Sequence, residues 1–137
     1  MNNVSFKANL IINPNLQKNL PAGTPEEFPE KLINEFREFL NQPKIKQATE
    51  GDIIELKKGK HKGGFALEMD FISDKIKEPF KTGIYTNKKI PDIKPGELKY
   101  WTYMFLCHKK GEKPRMLESS FGMIERVLFN GQKIFRK

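Results

Sequence analysis

Two histidines, His61 and His108, are the side chains of this sequence that could exchange protons near neutral pH without help from their surroundings. Together with lysines, such a pair could cleave RNA by acid–base chemistry that needs no metal. His61 lies in the run KGKHKGG, and His108 follows an aromatic run much later in the chain. This separation favours two unrelated surface histidines. A metal-free endoribonuclease therefore remains an alternative, and we assign no catalytic residue.

A second arrangement, Pro91-Asp92 followed by Glu97-Leu98-Lys99, is similar to the PD…ExK pattern of metal-dependent nucleases. That chemistry needs two carboxylates and a lysine around one metal ion. Only four residues, including a Pro-Gly pair, separate Asp92 from Glu97, which is too short for two strands to bring the carboxylates together. No pair of cysteines or histidines has zinc spacing, and no phosphate-binding glycine motif occurs. The sequence therefore predicts neither a metal nor a cofactor.

An aromatic run at residues 97–108, ELKYWTYMFLCH, has the highest β propensity in the chain and is interpreted as a long strand. One face of this strand would carry Lys99, Trp101, Tyr103 and Phe105. Exposed aromatic rings can stack on nucleic-acid bases without reading their sequence. The alternative is that both faces of the strand are buried, which leaves no stacking surface.

Lysines cluster in three segments that are interpreted as loops between strands. The chain has 25 Lys and Arg against 17 Asp and Glu, a formal charge of +8, which attracts polyanions. Lysines along a groove neutralise phosphates and release counterions. The alternative is that each cluster is an ordinary solvated loop in a lysine-rich composition. The clusters are Lys57, Lys58, Lys60 and Lys62 beside His61; Lys88 and Lys89; and Lys109, Lys110 and Lys113.

The first half of the chain contains one strand pattern and one helix pattern. Apolar residues alternate through residues 4–12, which is typical of a half-buried strand. An amphipathic helix is predicted at about residues 25–41, because Thr24 and Glu27 have the spacing of a capping box. Its apolar residues recur every three or four positions, as one buried stripe requires.

The second half is interpreted as strands joined by long loops. Alternation at residues 65–71 predicts a half-buried strand, and residues 83–87 form a short one. Residues 119–129 are interpreted as a strand before the Asn130-Gly131 turn, with a short helix as the alternative. These elements predict a mainly β, α+β fold: a five-stranded barrel of the OB type, with the helix inserted after the first strand.

The layout of the chain resembles phage-type single-stranded DNA-binding proteins with an OB fold. The likeness covers about residues 4–16 and 64–132, and is carried by VSFKANLIINP, KEPFKTGIYTNKKIPDIKPGELKYWTYMF and SSFGMIERVLFNGQK. The resemblance implies sequence-tolerant coating of single-stranded DNA, or RNA, during phage or mobile-element replication or recombination, with no cofactor. The side chains that it implies for base stacking are Phe65, Tyr85, Trp101 and Tyr103.

Bulk properties limit the remaining possibilities. The 137 residues suit one domain, residues 1–137, and the single cysteine, Cys107, makes no internal disulfide, so a reducing, cytoplasmic location without membrane contact is expected. The chain ends in QKIFRK rather than in the acidic tail that recruits replication proteins to many such binders, which leaves that recruitment open. A homo-oligomer is also left open. The rival prediction is a small protein-interaction or inhibitor module of a mobile element.

Overall fold

The computed structural model describes residues 9–18 and 20–111. Within them lie four strands, three α helices and one 3-10 turn at Pro14–Leu16. In chain order the elements are β1 (Asn9–Ile12), α1 (Phe28–Leu40), α2 (Pro43–Ala48), β2 (Ile53–Lys58), β3 (Phe65–Ile72), β4 (Phe80–Thr86) and α3 (Pro95–Lys110). The strand predicted at 65–71 is confirmed as β3. The helix predicted at about 25–41 is confirmed as α1, but it begins at Phe28, and the predicted capping box is wrong because Glu27 is the N-cap and makes no side-chain capping hydrogen bond.

The four strands form one mixed sheet in the order β1-β2-β3-β4. β1 runs parallel to β2, and α1 and α2 make the long connection that a parallel pair requires. β2, β3 and β4 are antiparallel neighbours joined by short loops. The predicted five-stranded OB barrel is therefore wrong: the described strands form an open sheet whose first and last members do not pair.

The segment predicted to be the long aromatic strand is instead the helix α3, and this prediction is wrong as well. Proline occupies the first helical position at residue 95, where its missing N–H costs nothing. The Glu97 side chain accepts a hydrogen bond of 3.0 Å from the Lys94 N–H. Gly111, at φ 72°, ends the helix in a left-handed cap. Four of its buried residues recur at helical spacing, Leu98, Thr102, Phe105 and Leu106, and Tyr103 and Cys107 are buried beside them. Without this strand, the four described strands do not close into a barrel.

The hydrophobic core lies between one face of the sheet and the helices α1 and α3. Phe71 of β3 stacks on Phe105 of α3 with ring centroids 4.7 Å apart. At the opposite end of β3, Phe65 meets Phe28 of α1 edge to face at 6.0 Å. The sheet residues buried on this face are Ile54, Leu56, Phe65, Leu67, Met69, Phe71 and Ile84.

The opposite face of the sheet is rich in charged side chains, and we call it the polar face. Strand side chains alternate between faces, so the polar face carries the residues between the core positions. Its polar members are Glu55, Lys57, Glu68, Asp70, Lys81 and Tyr85. Within the described residues, no helix combines the length and apolar character that crossing a membrane requires.

Candidate nucleic-acid interface

The β2–β3 loop and the segment after β4 meet at one end of the sheet. Phe65, the first residue of β3, pairs with Thr86, the last residue of β4, so both connections leave the sheet there. The two backbones touch at Gly64, where a Cβ atom would lie 1.8 Å from the Thr86 carbonyl oxygen. His61 Nε2 lies 2.9 Å from Asn87 Oδ1 across the same junction. We call residues 59–64 and 87–90 together the basic end.

The lysines of the basic end point into solvent. Lys60, Lys62 and Lys89 are exposed, and among the described residues none of them forms an ion pair. Lys88 is also exposed, but its Nζ lies 2.7 Å from Asp92 Oδ2. This hydrogen bond and the charge of each partner raise the pKa of Lys88 and lower the pKa of Asp92. The basic end therefore holds three unpaired lysines and one that a carboxylate already neutralises.

Tyr85 is the exposed aromatic side chain beside these lysines. It is 59% exposed and lies on the polar face near the end of β4. Its ring centroid lies 5.4 Å from that of His61, with an angle of 46° between the planes. Because a histidine from the β2–β3 loop flanks it, the ring belongs to the same surface as the lysines.

The other three predicted stacking residues are placed elsewhere. Phe65 is 1% exposed in the core, and Tyr103 is 3% exposed on α3. Trp101 is partly buried and packs edge to face against Tyr100 at 5.1 Å. In a helix these side chains no longer share one face, so no aromatic row is presented to a ligand.

Three predicted lysines also lie outside the basic end. Lys57 is held on the polar face by Asp70, 3.0 Å away, which raises the pKa of the lysine. Lys58 is tied through its backbone N–H, which donates to Asn15 Oδ1 at 2.9 Å. Lys99 lies over the Phe39 ring, 5.7 Å from its centroid. The ammonium groups of Lys57 and Lys99 are thus engaged within the protein, whereas the contact of Lys58 is made by its backbone.

The third lysine cluster lies at the opposite end of the sheet, which we call the far end: the starts of β2 and β4 and the end of α3. Lys109 Nζ donates to the Ala48 carbonyl at 2.8 Å and pairs with Asp52 Oδ2 at 2.5 Å. The two side chains are only 9% and 3% exposed. Lys110 beside it is exposed, and Lys113 lies outside the described residues. Lys109 is therefore a buried structural residue.

The two histidines do not share a site. His61 contacts Tyr85, whereas His108 stacks on Phe80 at 4.9 Å. Phe80 and Tyr85 are five residues apart on β4, about 16 Å at 3.3 Å per residue, and face opposite sides of the sheet. This separation does not favour the two-histidine endoribonuclease.

The acidic residues of the metal-nuclease pattern do not converge either. Asp92 pairs with Lys88, while Glu97 caps its own helix. Across residues 9–18 and 20–111, no group of three or more His, Cys, Asp or Glu side chains is placed to hold a metal ion. An open cleft of about 430 Å³ lies between the 3-10 turn and the start of α1, but Glu26 and Glu30 line it, which makes it unsuited to phosphate.

Two residues on β4 belong to this surface but escaped the sequence interpretation. Lys81 lies on the polar face with its side chain 71% exposed, and its Nζ is 3.9 Å from Asp70 Oδ2. Gly83 lies between Lys81 and Tyr85 on the same face. The period-two spacing of residues 81, 83 and 85 places them on one strand face, but the predicted strand, 83–87, starts too late to include Lys81.

Comparison with known proteins gives no relative from which a function could be transferred. The resemblance to phage-type single-stranded DNA-binding proteins stays a prediction, although the barrel that it implied is wrong. No protein-family model matches the chain, and neither a curated protein nor a solved structure is significantly similar to it.

Proposed function

We propose that this protein binds single-stranded nucleic acid, DNA or RNA, through the basic end and Tyr85, without reading base sequence. The observation that carries the proposal is the contact between the exposed Tyr85 ring and His61, which lies between the exposed Lys60 and Lys62 in the β2–β3 loop. Single-strand binders combine these two elements: cations that follow the backbone and rings on which bases stack.

The phosphate contacts come from Lys60, Lys62 and Lys89. Each has a long side chain, lies in solvent and has no ion pair among the described residues. Their positive charge would be balanced by phosphates in the complex and by mobile anions in the free protein. Binding would therefore release counterions and weaken as salt is added.

The preference for single strands comes from Tyr85. Its exposed ring offers a flat apolar face, and a base in a duplex is already stacked between its neighbours. Only an unpaired base can turn its own face to the ring, and every base has such a face. The site therefore favours unpaired over duplex nucleic acid but does not distinguish one base from another.

A titration of labelled oligonucleotides over a range of salt concentrations tests this function. With three phosphates neutralised on a single strand, log K should fall with log salt at a slope of about −2. A 20-nucleotide single strand should bind more tightly than the matching duplex. A flat salt response, or equal binding to the duplex, would count against the proposal.

A matched control variant distinguishes the contribution of the basic end from that of the net charge of the protein. Lys46, Lys75 and Lys77 are exposed and lie in α2 and the β3–β4 loop, at the far end. Changing these three to alanine removes the same charge as changing Lys60, Lys62 and Lys89. Only the second variant should lose most of the affinity. Equal losses would show that net charge, and not the basic end, drives binding.

A protein-interaction module remains the second candidate, because the polar face also carries exposed isoleucines. Ile11 is 46% and Ile72 is 39% exposed, and Ile53 lies beside Ile72 in register. Such a patch suits a protein partner better than a phosphate backbone. This candidate predicts no mobility shift with any nucleic acid. It also predicts that Ile11→Ser with Ile72→Ser abolishes capture of a partner, whereas the alanine variant of the basic end retains it.

A further inference from the structure

The side chain of Tyr85 folds back over a glycine two residues earlier on the same strand. A Cβ atom on Gly83 would lie 2.6 Å from Tyr85 Oη, 2.8 Å from Cζ and 3.2 Å from Cε2. All three atoms belong to the outer half of the ring. The tyrosine side chain therefore folds back along β4 and covers the space that a side chain at position 83 would occupy.

The backbone at position 83 gives no other reason for glycine. Its φ is not among the positive values found at Gly23, Gly51, Gly63 and Gly111, so an alanine fits the strand conformation there. Glycine inside a strand is also unfavourable relative to alanine. The feature that glycine supplies at this position is room for the ring.

We infer that Gly83 is a positioning residue that holds Tyr85 flat, with one ring face on the sheet and the other open to a base. This inference rests on the proposed function and names how that site selects its ligand. A ring held flat is preorganised, so stacking does not have to restrict its rotamers at the moment of binding. The His61 ring, whose Nε2 lies 2.9 Å from Asn87 Oδ1, packs against the Tyr85 ring with centroids 5.4 Å apart.

The arrangement also gives the bound strand a direction. A base on Tyr85 lies over the polar face, with Lys60 and Lys62 beyond one end of the strand and Lys81 four residues towards the other. Lys81 is about 13 Å from Tyr85 along β4. Because Lys81 is shared with Asp70, 3.9 Å away, the bound strand continues from Tyr85 towards the basic end, where the three unpaired lysines neutralise its phosphates.

The substitution Gly83→Ala tests the inference. The methyl group displaces only the far end of a flexible side chain, so the protein should fold with an unchanged or higher melting temperature. Affinity for a single-stranded oligonucleotide should fall about five-fold, at the lower end of the loss of one stacked base. The salt slope should not change, because every lysine is still present.

A double-mutant cycle shows whether Gly83 acts through the ring. Tyr85→Ala should weaken binding about ten-fold, and adding Gly83→Ala to it should weaken binding no further. Tyr85→Phe keeps the ring and should bind like the natural protein, whereas Tyr85→Leu should not. These two variants test base stacking on the Tyr85 ring even if Gly83→Ala does not fold.

The outcomes separate the inference from the function beneath it. If Gly83→Ala folds and binds as tightly as the natural protein while the triple-lysine variant does not bind, the positioning role of Gly83 is wrong, but the proposed binding by the basic end is retained. If Gly83→Ala weakens binding equally with and without Tyr85, the glycine acts on something other than the ring. If the natural protein binds no nucleic acid, both the inference and the function fail.

Discussion

The two ends of the sheet carry similar lysine- and histidine-rich sequences that the fold uses in opposite ways. At the basic end, Lys60 and Lys62 flank His61 and extend into solvent. At the far end, Lys109 follows His108 directly, yet its ammonium group is buried against Asp52 and the Ala48 carbonyl. A lysine cluster in a sequence therefore does not indicate whether its charge is available to a ligand; what lies opposite each ammonium group decides that.

The cause of the difference is the direction of α3. The helix starts near the basic end, runs back beside β4 and delivers its last turn to the start of β2. Its C-terminal lysine thus meets a carboxylate that is already buried, whereas the hairpin loop at the basic end projects beyond the sheet.

Replacing Lys109 with methionine should destabilise the fold strongly. Asp52 would be left buried without its partner, which typically costs about 3–5 kcal/mol. Urea unfolding measures the loss, and Lys46→Met at an exposed position of α2 is the control, expected to lie within about 0.5 kcal/mol. Nucleic-acid affinity of the folded fraction should stay the same. A small stability loss with a large affinity loss would place the ligand at the far end.

Trp101→Ala should cost about 2–3 kcal/mol of stability, below the range for a fully buried tryptophan, because the ring is only partly covered by Tyr100 and the core. Its affinity should remain that of the natural protein. Thermal melting and an oligonucleotide titration on the one variant give both values. Weaker binding with intact stability would instead restore Trp101 as a stacking residue, and with it a second contact surface on α3.

Changing Lys60, Lys62 and Lys89 together to alanine should have the opposite effect to changing Lys109: the affinity should fall while the stability is nearly unchanged. Each side chain is exposed, so the free energy of unfolding should change by less than about 0.5 kcal/mol per site. The slope of log K against log salt should become shallower by about 2. An unchanged slope would mean that the phosphates contact other cations, with Lys81 and Lys88 the nearest candidates.

Asp92→Asn should strengthen binding about two- to three-fold, the gain from one additional weak phosphate contact. The substitution removes the carboxylate that holds Lys88 and so frees its ammonium group. Protonation of the Asp92 carboxylate in the natural protein should raise the affinity for the same reason as Asp92→Asn does at neutral pH. Because the pKa of Asp92 is lowered, the ion pair persists below the usual pH of an aspartate and is lost only as the pH falls through that lowered value.

A titration of affinity against pH and against Asp92→Asn checks this prediction. Asp74→Asn, an exposed carboxylate in the β3–β4 loop, is the control and should change affinity little. If both asparagine variants strengthen binding equally, the effect is one of net charge. If Asp92→Asn weakens binding, the Lys88–Asp92 pair organises the segment after β4 instead of competing with the ligand.

Local patterns predicted the elements whose signals were unambiguous. The apolar stripe of α1 and the strict alternation of β3 each fit one structure only, whereas the capping box predicted at Thr24 and Glu27 does not form. Residues 97–108 are compatible with both a strand and a helix, because their residue types have high β propensity while the spacing of their apolar residues suits a helix. The N-terminal signals, Pro95 and Glu97, point to the helix, and tertiary packing of Phe105 on Phe71 agrees with them.

The candidate site could also be predicted only in part, because local sequence does not show which residues meet in the fold. Tyr85 was indicated only by the resemblance to phage-type single-stranded DNA-binding proteins. Lysine content was enough to single out the lysines of the basic end, because turn-rich segments with several lysines are usually exposed. It could not separate Lys57 and Lys109 from them, since their partners Asp70 and Asp52 lie more than ten residues away in sequence. Nor could it place Gly83 beneath a ring, because that contact depends on the rotamer of Tyr85.

The parallel pairing of β1 with β2 has a consequence for the order of folding. Asn9 pairs with Ile53, so this contact closes a long loop that contains two helices, whereas β2, β3 and β4 pair through short connections. Long-range pairing is the slower event because its loop-closure entropy must be overcome first. We expect Leu10→Ala to speed unfolding with little effect on the refolding rate, and Leu67→Ala to slow refolding. The basic end would then be assembled before β1 joins the sheet, and stopped-flow kinetics of the two variants would show the opposite order if β1 pairs early.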